Sequence, residues 1–130
     1  METLASRPQL GIGPIFQREF RGNTLILIPH RPLGGLNEVE IVGETNELVN
    51  FIQQSGPLNL IFDLQNGEYL GTALIGAIVR LWKRVALAGG RMALCAISDP
   101  VFQILRITKL HTVWPIYTTR DEALASVEGA

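Results

Sequence analysis

LNLIFDLQNGEYLGTALIGAI, residues Leu58 to Ile78, decides the reading of this chain. An apolar run ends at Asp63, a short polar stretch follows, and Gly71-Thr72 opens a second apolar pattern with helical spacing. The run Leu58 to Leu64 has no alternating polar positions, so it reads as a central strand covered on both faces. The pattern after Thr72 places Leu74, Ile75, Ile78, Val79, Trp82, Val85 and Ala86 on one stripe, with Arg80, Lys83 and Arg84 outside it, and predicts a helix to about Ala88. A hydroxyl at the mouth of that helix has two uses. It can cap the unpaired N–H groups of the first turn, or carry a phosphate beside the positive end of the helix dipole.

Outward from this stretch the order of elements is regular. Pro14 to Phe20 and Thr24 to Ile28 are apolar-rich runs joined by Arg21-Gly22-Asn23, which predicts a hairpin. A helical pattern follows, with Val42, Thr45, Leu48, Val49 and Ile52 on one face and Glu44, Glu47 and Gln54 elsewhere, stopped by Ser55-Gly56-Pro57. After Gly89-Gly90, Met92 to Ile97 reads as a strand. Ser98-Asp99-Pro100 then starts a helix with a capping side chain followed by proline. Val113 to Tyr117 reads as an edge strand, because Pro115 cannot donate to a ladder. Thr118 or Thr119 caps a last helix carrying Ala123, Leu124 and Val127. The expected fold is α/β: one mostly parallel five-stranded sheet with four helices in the order β-β-α-β-α-β-α-β-α, the first strand antiparallel at an edge. Residues 1–13 read as a loose lead-in and 14–127 as one domain.

Composition excludes several classes of function. The chain has 130 residues, 47% apolar and 18% charged, with a formal net charge of −1. A near-neutral balance gives no electrostatic reason to expect a nucleic-acid partner. No apolar stretch is long enough for a bilayer span, and the N-terminus lacks a secretory pattern, so membrane insertion is not expected and the cytoplasm is the expected compartment. Cys95 is the single cysteine; it lies in an apolar run and reads as a buried structural thiol. His30 and His111 lack partners at metal-ligand spacing. Gly11-Ile12-Gly13 precedes a strand rather than following it, and is no dinucleotide fingerprint. Asp63 and Glu68 flank one loop, but a solvated or turn-forming role suits them better than acid–base chemistry. No enzyme, cofactor or metal site is expected.

At this point the residues resemble STAS domains, the anti-sigma factor antagonists. The resemblance runs from about residue 14 to 127. It rests on the strand ending in Asp63, the loop, the helix opening at Gly71-Thr72-Ala73, Gly89-Gly90 before a strand, Thr108-Lys109-Leu110, and Asp121-Glu122-Ala123-Leu124. The family motif at the helix mouth is Asp-Ser-Ser-Gly. Here Gly71 stands at the Asp, Thr72 at the first Ser, Ala73 at the second Ser and Leu74 at the Gly, similar to a divergent Ser-Ser-Ala subset.

The resemblance implies a non-catalytic regulatory module. In the family's partner-switching members the first motif hydroxyl is phosphorylated by a serine kinase that doubles as an anti-sigma factor, and a phosphatase reverses the reaction; the resemblance makes Thr72 the candidate phosphoacceptor here. It further implies partner contacts around Asp63, Gln65, Asn66, Glu68, Tyr69, Gly71 and Ala73, with Arg80 and Arg84 further along the helix. An alternative within the same resemblance is an accessory subunit docking on the ATPase of an ABC-type lipid transporter, without phosphorylation.

Overall fold

The computed structural model describes residues 11–12, 15–29, 38–65 and 71–128. The elements in chain order are β1 (Gly11–Ile12), β2 (Phe16–Arg21), β3 (Thr24–Pro29), α1 (Glu38–Ser55), β4 (Asn59–Asp63), α2 (Thr72–Leu87), β5 (Met92–Cys95), α3 (Asp99–Ile107), β6 (Ile116–Tyr117) and α4 (Arg120–Glu128). The five expected strands and four helices follow the expected order. The two residues of β1 add a sixth strand outside β2, within what the sequence suggests is a loose lead-in.

The sheet runs β1-β2-β3-β4-β5-β6, so spatial order equals chain order. β1, β2 and β3 pair antiparallel, and β3 through β6 pair parallel. Gly22, at φ +55°, begins the two-residue turn that sets Arg21 opposite Thr24. Asn23 does not share that positive φ, so glycine alone supplies it.

Right-handed crossovers that always step in one direction place their helices on one face. Accordingly α1, α2 and α3 pack on the face carrying Leu25, Leu27, Leu60, Phe62, Met92 and Leu94. The alternate residues Ile26, Ile28, Ile61, Ala93 and Cys95 meet α4 through Ala123, Leu124 and Val127 on the other face. β4 is buried on both sides, as its unbroken apolar run requires.

Three local readings change. The inward face of α1 is Ile41, Glu44, Thr45, Leu48 and Ile52, while Val42 is 44% exposed. Glu44 goes inside because Arg18 of β2 is there to meet it: Arg18 Nη2 and Nε donate to Glu44 Oε2 at 2.9 and 3.2 Å. Glu44 Oε1 accepts the Ile15 N–H at 2.7 Å, and the exposed Glu47 adds a second carboxylate at 2.6 Å from Arg18.

On α2 the buried residues are Leu74, Ala77, Ile78, Leu81 and Val85, and Ala86 faces out. The last strand shortens to Ile116–Tyr117. A 3-10 turn, Leu110–Thr112, occupies the approach, and Trp114 turns inward against Trp82 with ring centroids 6.0 Å apart. Pro115 precedes the strand at the sheet edge, where its missing donor does no harm.

Candidate functional site

The carboxyl ends of the parallel strands and the N-termini of α1 and α2 lie at one end of the domain, since each crossover helix runs back against its strands. Gly71 has extended backbone (φ −79°, ψ 166°) and is the cap residue of α2, with no side chain to offer. The first intrahelical bond is Ile75 N–H to the Gly71 carbonyl at 3.0 Å. The N–H groups of Thr72, Ala73 and Leu74 therefore precede the ladder, and no acidic side chain occupies the first turn.

Thr72 is thus the first helical residue rather than the cap, which excludes the capping use of its hydroxyl. It is exposed, and its side chain has no hydrogen-bond partner among the described residues. An exposed hydroxyl beside unpaired donors and the positive end of a dipole is suited to holding added negative charge.

Thr72 and Ala73 line a groove of about 460 Å³. Its α2 wall continues through Gly76, Ala77 and Arg80, and its α1 wall is Glu38, Ile41, Val42 and Thr45. The small residues of α2 keep the two helices from filling the space between them. Arg80 Nη2 donates to the Asn46 side-chain oxygen at 2.8 Å, which ties the far end of the groove to α1.

The remaining expected site residues separate. Gln65 is exposed at the exit from β4. Asp63 is 3% exposed and offers no surface to a partner. Its Oδ1 accepts the Gln65 N–H at 3.2 Å, and its Oδ2 accepts Gln65 Nε2 at 3.2 Å and Arg120 Nε at 2.9 Å. Arg84 lies twelve residues from Thr72, about 18 Å along the helix axis, and lines no part of the groove; it does not belong with the other residues. Asn66, Glu68 and Tyr69 lie outside the described residues, as does His30.

The sequence reading missed the α1 wall and Arg120. Spacing of Ala73, Gly76 and Ala77 at i, i+3 and i+4 is a visible sign of a shallow helix face, but its opposite wall follows only from packing α1 beside α2.

Burial works against the charge of Arg120, but the hydrogen bond to Asp63 and the fields of Asp63 and Glu19 outweigh it and raise its pKa above the ordinary value. Beneath this group the Cys95 thiol is pushed up to about 12, first by burial and then by the Asp63 carboxylate, with Arg120 opposing. It is inert packing rather than a nucleophile. His111 packs edge-on against Phe102, and no cluster able to hold a metal occurs among the described residues. No helix there is long and apolar enough to cross a membrane.

A single mixed sheet with three helices on one face, one on the other, and an uncapped helix mouth opening on a groove defines an α/β docking domain. The STAS domain model matches residues 17–123, and the chain belongs to that family. It is 29% identical over 77 residues to the anti-sigma F factor antagonist of Paenibacillus polymyxa, a stretch covering 59% of this chain and 66% of that protein, a little under two thirds of its length.

The structure of an anti-sigma-factor antagonist (STAS) domain protein from Planctomyces limnophilus superposes with a TM-score of 0.72 at 26% identity, covering 87% of this chain and 97% of the other. SpoIIAA, an anti-sigma factor antagonist solved in its unphosphorylated form, gives a TM-score of 0.76 at 18% identity, over 88% of this chain and 97% of that one, a likeness of fold.

Proposed function

We propose that this protein is a non-catalytic partner-switching module. It docks on a protein partner through the mouth of α2 and the adjoining groove, and phosphorylation of Thr72 releases it. The observation that carries this reading is the exposed Thr72 hydroxyl at an uncapped helix N-terminus on the rim of the groove. The partner is an anti-sigma factor that is also the serine kinase, a phosphatase resets the switch, and both act on the protein in the cytoplasm. Membership of the STAS family and similarity to anti-sigma factor antagonists support these assignments.

The switch follows from charge. Unmodified, the rim offers Thr72, Ala73, Gly76 and Val42, a shallow surface with little to desolvate. A phosphate adds about −1.5 to −2 charges at that rim. The N–H groups of the first turn of α2 are placed to donate to it within the protein, whereas a partner fitted to the bare rim meets a doubly charged group that it must desolvate. Gly71 in place of an acidic residue leaves that phosphate without a like-charged neighbour at the cap position.

To test this, the protein is incubated with its cognate kinase and ATP, and its intact mass is followed. One phosphate adduct is expected on the wild type and none on Thr72→Ala. An adduct that persists in Thr72→Ala sinks the assignment. Loss of binding to an ABC-type ATPase in Thr72→Ala, with no adduct on the wild type, supports the transporter reading instead.

A further inference from the structure

Arg120 opens α4, on the face of the sheet opposite the groove, yet its guanidinium reaches the docking end of the domain. Nε donates to Asp63 Oδ2 at 2.9 Å and Nη1 donates to Glu19 Oε1 at 3.1 Å. One cation therefore spans from β4 to β2, across β3. The first position of a helix is an unfavourable place for a cation, because the dipole is positive there. The cap of α4 does not use it either: Thr119 Oγ1 accepts the Glu122 N–H at 3.2 Å, and Glu122 Oε1 accepts the Thr119 N–H at 3.1 Å, a complete capping box. The placement of Arg120 is explained by what it meets.

What it meets is a buried carboxylate, with a side chain 4% exposed. Such a group keeps its charge only if paired and hydrogen-bonded. Ionised, it is an acceptor alone, and Asp63 uses that capacity on Gln65, taking the backbone N–H on Oδ1 and the side-chain amide on Oδ2. Bonding of a side chain to the N–H two residues on is the arrangement that turns the chain at an Asp. The direction in which the chain leaves β4 thus depends on a carboxylate that Arg120 pairs and orients.

We infer that Arg120 is a positioning residue for the docking surface: acting through Asp63, it fixes the exposed Gln65 at the exit from β4, on the end of the domain where α2 opens, and so sets affinity for the partner. This rests on the docking function proposed above. Lysine does not replace it, because an ammonium lacks the rigid fork that serves Asp63 and Glu19 from two sides.

The test compares Arg120→Gln and Arg120→Lys with Glu122→Ala, which weakens the α4 cap and leaves the guanidinium pair alone. Amide hydrogen exchange is read at Gln65 against amides within β3, and Thr72 phosphorylation by the cognate kinase is read as kcat and KM separately. Arg120→Gln is expected to speed exchange at Gln65 by about tenfold beyond any change in β3, and to raise KM severalfold with kcat little changed. Arg120→Lys is expected to fall between, and Glu122→Ala to leave both readouts near wild type. Protection at Gln65 unchanged in Arg120→Gln, or lost equally in Glu122→Ala, overturns the positioning role and leaves a plain structural ion pair. Faster exchange at Gln65 with KM unmoved overturns its link to docking. If the wild type is not phosphorylated at all, it is the partner-switching reading that fails, and the exchange measurement alone decides what Arg120 does.

Discussion

Replacing Glu44 by alanine is the most searching test of how β2 is held against α1. Glu44 is the only carboxylate buried against Arg18 among the described residues; the second carboxylate at Arg18, Glu47, is 60% exposed. Removing Glu44 leaves Arg18, 4% exposed, facing a partner that is largely in water, and strips the Ile15 N–H of its 2.7 Å acceptor. Deleting one partner of a buried pair costs about 3–5 kcal/mol. That is a large part of the roughly 5–15 kcal/mol that holds a domain folded, and at about 3–5 °C per kcal/mol it lowers Tm by about 9–25 °C. Urea denaturation of Glu44→Ala is the assay, with the m-value checked for constancy.

The double variant Arg18→Met/Glu44→Leu removes both charges and is expected to be more stable than Glu44→Ala, since an apolar pair replaces a buried ion pair at little cost. It is expected to stay about 1–2 kcal/mol below wild type, because the Ile15 and Phe16 N–H groups still lack an acceptor. A loss below about 1 kcal/mol in Glu44→Ala, or a double variant no better than the single one, would refute the reasoning.

Three further outcomes are expected. A methyl group at Gly90 would overlap the Leu58 carbonyl oxygen and press on Val85; Gly90→Ala is expected to cost at least about 3 kcal/mol, measured by the same denaturation. Gly43 and Gly76 are helical and have open space where a Cβ would go, so Gly43→Ala and Gly76→Ala each stabilise by about 0.5–1 kcal/mol. Only Gly76→Ala is expected to weaken partner binding by titration calorimetry, because Gly76 lines the groove and Gly43 does not.

The Cys95 thiol, with a folded-state pKa of about 12 against an ordinary 9.0, keeps its proton when the unfolded chain loses it. Its contribution is complete below pH 9 and is lost between pH 9 and 12, at up to about 1.4 kcal/mol per pH unit. Cys95→Ala is expected to flatten that alkaline slope in stability measured against pH, and an unchanged slope would count against the buried-thiol account.

The parts of the fold that sequence reveals are those where one physical rule acts alone. β3, β4 and β5 are short apolar runs because both faces are covered. Ser98 was recognisable as a cap, and its hydroxyl does accept the Val101 N–H at 3.4 Å. The rest needed two rules at once. Hydrophobic periodicity put Val42 inside and Glu44 outside on α1, and the opposite holds because a strand cation supplies what the carboxylate lacks. A hint was present: Phe16, Arg18 and Phe20 share one face of β2, so a cation stood at an inward position of the strand.

At the helix mouth, Gly and Thr rank alike as caps, and sequence could not tell which of Gly71 and Thr72 starts α2. That single residue decides whether the hydroxyl is spent inside the helix or left at the surface. The groove was invisible for another reason. Half of it belongs to α1, and only the parallel packing of two crossover helices brings Thr45 beside Ala73 and Gly76.

The agreement between spatial and chain order has a consequence for synthesis. Each new strand joins the edge of the sheet already made, so a chain emerging from the ribosome never has to open a finished pair to insert a later strand. The Glu19–Arg120 bond stands apart, its residues 101 positions apart in sequence. At about 5–20 residues per second, Glu19 waits roughly 5–20 s for its cation, and Asp63 waits for the same one. The end of the molecule where the parallel strands exit and α2 opens is therefore completed last, by the helix on its back, and a nascent chain still lacking α4 presents an unfinished face.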